Sequence, residues 1–462
     1  MGLHREALVR VLFVNPRNAF NTLFLPEVVR DFTMGRRKAI FTPLNLCICA
    51  AVTPKDCQVE IMDECVRPLD FEVKADVVGI TAMTCTAPRA YWIADEFRKR
   101  GAKVVLGGIH PSALPEEAAR HADSVCVGEA EATLPRFFQD LKNGGPKEIY
   151  RADEAGNVPI ATPRRDLIAK EDYLVANPIQ ISRGCPHGCT FCTTYAIFGR
   201  RHRTRPVPEI IEEMRSTGGR LFIFSDDNVI GNVEWAKEFF NALIPLNIQW
   251  AGQSTILIAR NDELMRLAKR SGCRGLILGL ESTSEESLME GNKRYAHAKD
   301  YLRAIRKIQS HDIGIWGSFL FGFDNDTPQS CARSVIFAEK ARLVMSSYPI
   351  LTPYPGTSLY ERLKAEGRLL TEDWSKYNGA TVVFEPKRMS AETLRNLQMA
   401  AFGRFFSIPS IIKRLGFLPF KKYSWITNSA ICFTMHAYYW RKRRQIPDLA
   451  ELARDNHKDA ER

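Results

Sequence analysis

Short unbroken apolar runs, each followed by a turn signal, recur along this chain and limit its fold more than any other feature. In the first third they are Arg10–Val14 (RVLFV, ending at Asn15-Pro16), Val59–Met62, Asp76–Thr81 (DVVGIT), Lys103–Leu106 (KVVL) and Ser124–Val127. A helical pattern through Arg89–Arg100 follows the third run. Strands without polar alternation are buried on both faces, as in a parallel sheet covered by crossover helices. The first third therefore reads as a doubly wound α/β domain. Ligands of such sheets sit beyond the carboxyl ends of the strands. Those ends carry Asn15, Thr81, Thr84, Gly107, Gly108, Gly128 and Glu129. The glycines would equally serve tight turns.

A polar, irregular stretch beginning GGPKEIYRADEAGNVPIATPRRDL separates this series from a second one. The second comprises Ile179–Arg183, Leu221–Ser225, Ile248–Gln253, Leu276–Glu281, Ile315–Gly322 and Ser347–Leu351, with helical patterns such as Glu234–Leu243 and Asp262–Ser271 between them. Six βα units that never return to the first sheet predict a partial (β/α)6 barrel, with functional groups at the carboxyl ends of its strands. The chain of 462 residues is too long for one ordinary domain. Its expected division is 1–143 (doubly wound domain), 144–177 (linker), 178–370 (barrel) and 371–462 (helical and basic).

The N-terminus, MGLHREALVRVLFVNP, lacks the apolar core and small-residue cleavage site of a secretory signal. No stretch reaches the roughly 18 strongly apolar residues of a spanning helix. A cytoplasmic location is the expectation, and there the 12 cysteines argue against a disulfide framework. Cys47, Cys49, Cys85, Cys126 and Cys273 lie in apolar runs and read as buried small hydrophobes. The net charge of +11 is uneven: nine Lys or Arg and no acid fall between Arg404 and Arg444. Within it Tyr423–Trp440 is aromatic and flanked by Lys421-Lys422 and Arg441–Arg444. Three readings stay open for that segment: packing as a terminal helix, peripheral docking on an anionic membrane, and spanning, which Asn428, Ser429 and His436 disfavour. No nucleic-acid-binding module is visible.

Directly after the first strand of the second series stands SRGCPHGCTFCTT, with Cys185, Cys189 and Cys192 spaced C-x3-C-x2-C. Structural zinc closes a tetrahedron with four ligands, usually two separated pairs. Here there is one triplet, and His187, inside the same loop, would close the tetrahedron only with strain. A cubane iron–sulfur cluster takes one ligand per iron, so three thiolates leave one iron open for chemistry.

C-x3-C-x2-C with an aromatic before the third cysteine, after the first strand of a βα series, resembles the radical S-adenosylmethionine (radical SAM) superfamily. The resemblance implies that Cys185, Cys189 and Cys192 hold a 4Fe–4S cluster whose open iron is chelated by SAM, and that Phe191 packs beside the adenosyl group. FSDDN (Phe224–Asn228) implies SAM-binding roles for Asp226 and Asp227, and LGLES (Leu278–Ser282) one for Glu281 at the ribose. Helix N-capping is the alternative for these acids. FLFGF and LTPYPGTSLYERL match later strand regions of the same family.

VLFVNP, DVVGIT, VVLGGIHPSALPEE and VGEAEATL are similar to the cobalamin-binding-like domain preceding the radical SAM core in one large subgroup. That subgroup includes the class B methyltransferases and the anaerobic tetrapyrrole cyclases. Thr81, Thr84, Gly107 and Gly108 would then contact the cobalamin tail. The D-x-H-x-x-G motif of other cobalamin proteins is absent, as in many members of the subgroup. The implied activity is reductive cleavage of SAM to abstract hydrogen from an unactivated carbon, in a cobalamin-dependent C-methyltransferase. The alternative is a cyclase, or an oxidative or ring-rearranging enzyme, without methyl transfer. A non-catalytic iron–sulfur sensor or electron carrier is a third reading, although pure electron transfer usually uses four cysteines. The implied partners are a small-molecule substrate, hydrophobic in the manner of a lipid or tetrapyrrole, and a reducing donor such as flavodoxin or ferredoxin. No nucleic-acid partner is implied.

Overall fold

The computed structural model describes residues 9–17, 37–152, 158–415 and 435–454. The chain falls into two compact units that part between Ala176 and Asn177.

The first unit is built on β1 (Val9–Asn15), β2 (Ala39–Phe41), β3 (Cys57–Asp63), β4 (Val77–Thr81), β5 (Lys103–Gly107), β6 (Ser124–Val127), β7 (Ile149–Arg151) and β8 (Tyr173–Val175). Six of these form a parallel sheet in the order β3-β1-β4-β5-β6-β7. Both faces are covered, which explains the lack of polar alternation. Leu12 and Val14 enter one core with Val78, Ile80, Ile93 and Phe97. Val11 and Phe13 enter the other with Val77, Val105, Leu46 and Phe137. The strand order reverses between β1 and β4, so the crevice beyond their carboxyl ends, at Asn15 and Thr81, is the switch point where such sheets take ligands.

The stretch 144–177, expected to be a linker, belongs to this unit up to Ala176. Its β7 is the edge strand of the six, with Tyr150 1% exposed, and β8 pairs with β2 in a separate two-stranded sheet. Three-residue strands are too short to show a period, and their partners lie far off in sequence.

The second unit carries β9 (Pro178–Ile179), β10 (Ser182–Arg183), β11 (Arg203–Thr204), β12 (Leu221–Phe224), β13 (Gln249–Ser254), β14 (Cys273–Glu281), β15 (Gly314–Phe319) and β16 (Met345–Ser347). Its six-stranded sheet runs β16-β15-β14-β13-β12-β9, all parallel and in chain order. Successive right-handed crossovers without a reversal place the helices on one face. That face is closed: Phe222, Trp250, Leu276 and Ile315 are at most 1% exposed and share one core with the helices Val233–Leu243, Asp262–Arg270 and Ala298–Ser310. The alternate residues Ile223, Ala251, Ile277 and Trp316 stay half-buried on the other face. The result is the expected partial barrel.

Helices Ala391–Phe405, Ile408–Leu415, 435–441 and Leu449–Leu452 complete the unit. Residues 416–434, and with them most of the segment considered for membrane docking, lie outside the described residues. The described end packs as a terminal helix: Tyr439 stacks on Phe402 at 5.7 Å, and His436 Nδ1 lies 3.0 Å from the Phe406 carbonyl. Two basic residues of the region also serve the interior. Arg404 pairs with Glu339 (3.1 Å), and Arg414, 5% exposed, donates to the carbonyls of Leu343, Val344 and Phe405. Among the described residues no helix is long and apolar enough to cross a membrane.

Candidate active site

The first strand of the barrel breaks after Ile179. The chain turns out of the sheet, and β10 pairs antiparallel with β11, so that residues 184–202 form a loop stapled at its base. Asp226, just past β12, holds this departure point. Its carboxylate accepts the backbone N–H groups of Ile181 and Ser182 and the Ser182 hydroxyl, and it is 1% exposed. Burial pushes its carboxyl up to about 7, against those hydrogen bonds. Gly184 then turns the loop with φ +86°, where a Cβ would collide with the Arg201 carbonyl, so only glycine fits.

Cys185, Cys189 and Cys192 all lie on that loop, Cys189 buried at 9% exposure and the other two half-buried. Burial pushes the Cys189 thiol up to about 12 and raises Cys185 and Cys192 as well. The thiols raise one another through their charges. Cations oppose these shifts, and coordination by a metal deprotonates a thiol outright. Among the described residues no three His, Cys, Asp or Glu side chains converge on a single-ion site. A cubane asks for no such convergence, since each thiolate takes a different iron.

The loop is pinned by a distant segment, Gly291-Asn292-Lys293, that follows the helix Glu285–Glu290. Thr190 N–H donates to the Gly291 carbonyl (3.2 Å), and Asn292 Nδ2 donates to the Gly188 carbonyl (2.7 Å). His187 stacks on Tyr295 at 3.8 Å, and Phe191 meets Phe323 edge-on at 6.1 Å.

The acidic residues named from the sequence separate by role. Asp227, next to the anchor Asp226, is exposed at the loop and accepts from Thr194 Oγ1 (2.8 Å), while the surrounding walls still push its carboxyl up. Glu281 ends β14 at a bulge in the pairing with β15, with φ +60° and 8% exposure. Its Oε1 accepts from Lys293 Nζ at 2.6 Å, and Lys293 also donates to the Gly279 carbonyl at 2.7 Å. The capping alternative fails for these acids. The caps of the following helices are Asn232, which accepts from Trp235 N–H, and Ser284, which accepts from Ser287 N–H. Sequence reasoning missed Lys293, Asn292, Tyr295 and Thr194; a Gly-Asn-Lys step reads there only as a helix end.

In the first unit, Asn45 Nδ2 donates to Thr81 Oγ1 (3.0 Å) at the switch point. Thr84 is 3% exposed. Gly108 has φ +104°, and a Cβ there would lie 2.7 Å from the Ala82 carbonyl, so the backbone demands glycine. Gly107 differs: its nearest neighbour to a Cβ would be 3.8 Å away and its φ is ordinary. A Cβ at 107 would meet Cys126 in ordinary van der Waals contact, so among the described residues no steric demand for glycine arises there.

Residues 179–337 match the radical SAM superfamily, and residues 31–138 match the B12 binding domain. Two curated relatives from Chlorobaculum tepidum are each 31% identical. The bacteriochlorophyllide d C-12(1)-methyltransferase aligns over 84% of this chain and 88% of its own length, and the C-8(2)-methyltransferase over 85% and 91%. The solved structure of the radical SAM methyltransferase TsrM from Kitasatospora setae, with cobalamin and a 4Fe–4S cluster bound, superposes with TM-score 0.67 at 16% identity. It covers 95% of this chain and 100% of that one, a likeness of fold. The chain is thus a radical SAM enzyme with a cobalamin-binding domain. Within that class it belongs to the family of the cobalamin-dependent methyltransferases, and its cofactors are a 4Fe–4S cluster, SAM and cobalamin. The reaction draws on a small-molecule substrate and a reducing electron donor.

Proposed function

We propose that this enzyme transfers a methyl group to an unactivated carbon of a hydrophobic, chlorophyllide-type tetrapyrrole. The observation that supports the reading is the union, in one chain, of a three-thiol loop at the first barrel strand with a switch-point sheet of the B12-binding kind. When bound, the cluster and SAM supply hydrogen abstraction from carbon, and cobalamin supplies the methyl group.

The chain's own residues hold and shield. Cys185, Cys189 and Cys192 carry the cluster on a loop fixed by Asp226 and Asn292. Asp227, exposed at that loop, is the acceptor for the SAM ammonium, because an ammonium needs a carboxylate or carbonyl partner. Asp226 acts one step back, as the positioning residue of the loop. Phe191 lies against the adenosyl group, and Glu281 meets the ribose. Thr81, Thr84, Gly107 and Gly108 receive the cobalamin tail. The half-buried face of Ile223, Ala251, Ile277 and Trp316 suits an apolar substrate and keeps water from the reacting carbon.

The test is anaerobic reconstitution with SAM, hydroxocobalamin, a chemical reductant and a chlorophyllide. The expected products are 5′-deoxyadenosine and a tetrapyrrole heavier by one methyl. Deoxyadenosine without a methylated product would move the enzyme to the cyclase branch. SAM cleavage indifferent to cobalamin would refute the methyl-transfer reading.

A further inference from the structure

Lys293 is among the most deeply buried cations of the chain: 4% of the residue is exposed. Its ammonium is bound on two sides, by Glu281 Oε1 at 2.6 Å and the Gly279 carbonyl at 2.7 Å, and it lies 5.7 Å from the centroid of the Tyr295 ring. The neighbouring backbone is the clamp of the thiol loop, since Asn292 holds Gly188 and Gly291 holds Thr190. Room for the pair is built in. A Cβ on Gly279 would overlap Glu281 Oε1 and stand 3.0 Å from Lys293 Nζ. A buried ion pair is seldom favourable as packing alone, because desolvation offsets much of its attraction.

The ammonium also neighbours the thiol loop through Tyr295, whose ring centroid lies 5.7 Å from Nζ and which stacks at 3.8 Å on His187, between Cys185 and Cys189.

We propose that Lys293 is an electrostatic positioning residue that raises the reduction potential of the cluster, with Glu281 as its counterweight. The inference rests on Cys185, Cys189 and Cys192 carrying a 4Fe–4S cluster. One electron from an external donor reduces the cluster from its 2+ to its 1+ state, adding one negative charge beside a fixed ammonium. Net charge around a cluster is a principal determinant of its potential, and in a low-dielectric site the attraction is screened little. Removing the ammonium disfavours the reduced state, and removing the carboxylate favours it. Two neighbouring substitutions thus have opposite signs, which a purely structural role would not produce.

The experiment is a redox titration of the anaerobically reconstituted full-length protein without SAM, following the reduced-cluster resonance, with iron content measured for each variant. For Lys293→Met the reduced-to-oxidised ratio at fixed poise is expected to fall about tenfold, which is 59 mV for a one-electron couple. Lys293→Arg should stay within about threefold of the parent, as guanidinium keeps the charge. Glu281→Gln should shift the ratio upward. A Lys293→Met protein with full iron and the parent potential overturns the proposal, and so does a Glu281→Gln shift that is absent or downward. If Lys293→Met does not load iron, Glu281→Gln and Lys293→Arg, which keep the cation, decide. A parent protein without a reducible cluster would refute the cluster assignment instead, a separate outcome.

Discussion

Substituting Gly279 by alanine adds one methyl group at a crowded point of the barrel, against the Glu281–Lys293 pair. The backbone at 279 is not left-handed, so alanine meets no conformational penalty there and the effect is steric. The new Cβ overlaps Glu281 Oε1 and lies 3.0 Å from Lys293 Nζ, so the carboxylate must shift and its contact with the ammonium is strained. Glu281 and Lys293 side chains are 11% and 5% exposed, and water cannot readily replace the lost contact. Leaving one member of a buried pair uncompensated costs about 3–5 kcal/mol. With a few degrees of melting temperature per kcal/mol in a unit of this size, the transition should fall on the order of 10 °C. The assay is thermal unfolding of the cluster-free protein, followed by near-ultraviolet circular dichroism. Gly275→Ala is the control on the same strand and face, because its Cβ would sit 3.6 Å from Ala251 Cβ and 3.9 Å from the Gly314 carbonyl, ordinary contacts. It should melt within a degree or two of the parent, as expected for a change of less than about 0.5 kcal/mol. Equal melting of the two variants would refute the reasoning.

Three further expectations can be checked directly. Cys189→Ala should abolish bound iron after reconstitution while leaving the far-ultraviolet spectrum unchanged; retained stoichiometric iron would remove Cys189 from the ligand set. Arg414→Leu strips donors from three carbonyls and a guanidinium lying 3.7 Å over Phe405, and should cost about 3 kcal/mol in urea unfolding; an unchanged midpoint would return Arg414 to a surface role. Asp324, held by Arg368, Arg362 and Lys387, has its carboxyl well below the usual range against the effect of burial. A depressed carboxylate contributes stability above its unfolded pKa and loses it as pH falls toward the folded one. The deficit of Asp324→Asn should therefore be full at neutral pH and shrink below about pH 4; a deficit independent of pH contradicts it.

The adjacent acids show how far one-dimensional reading carries. Successive residues at a strand end point to opposite sides. FSDDN marks both Asp226 and Asp227 as acids beyond β12, yet Asp226 turns inward to fasten Ile181 and Ser182 while Asp227 stays exposed beside Thr194. Spacing cannot tell which of two neighbours faces the packed interior. The stretch 144–177 failed for a related reason: β7 and β8 draw their order from β6 and β2, which local composition does not report.

By itself, the sequence determined what is local and periodic. Runs buried on both faces specified the first sheet, the ordered second series specified a barrel, and C-x3-C-x2-C set three thiolates on one loop. Such features arise from neighbours a few residues apart, whose geometry the backbone repeats. Tertiary structure alone decided what surrounds the thiols. Asn292 reaches Gly188 across 104 residues, and Asp226 reaches Ser182 across 44. Even Lys293, only 12 residues from Glu281, is brought to it by a bulged strand end and a helix that turns the chain back. Contacts of that kind depend on how packed elements meet, and a buried charge acquires its partner, and its influence on the site, only once they do.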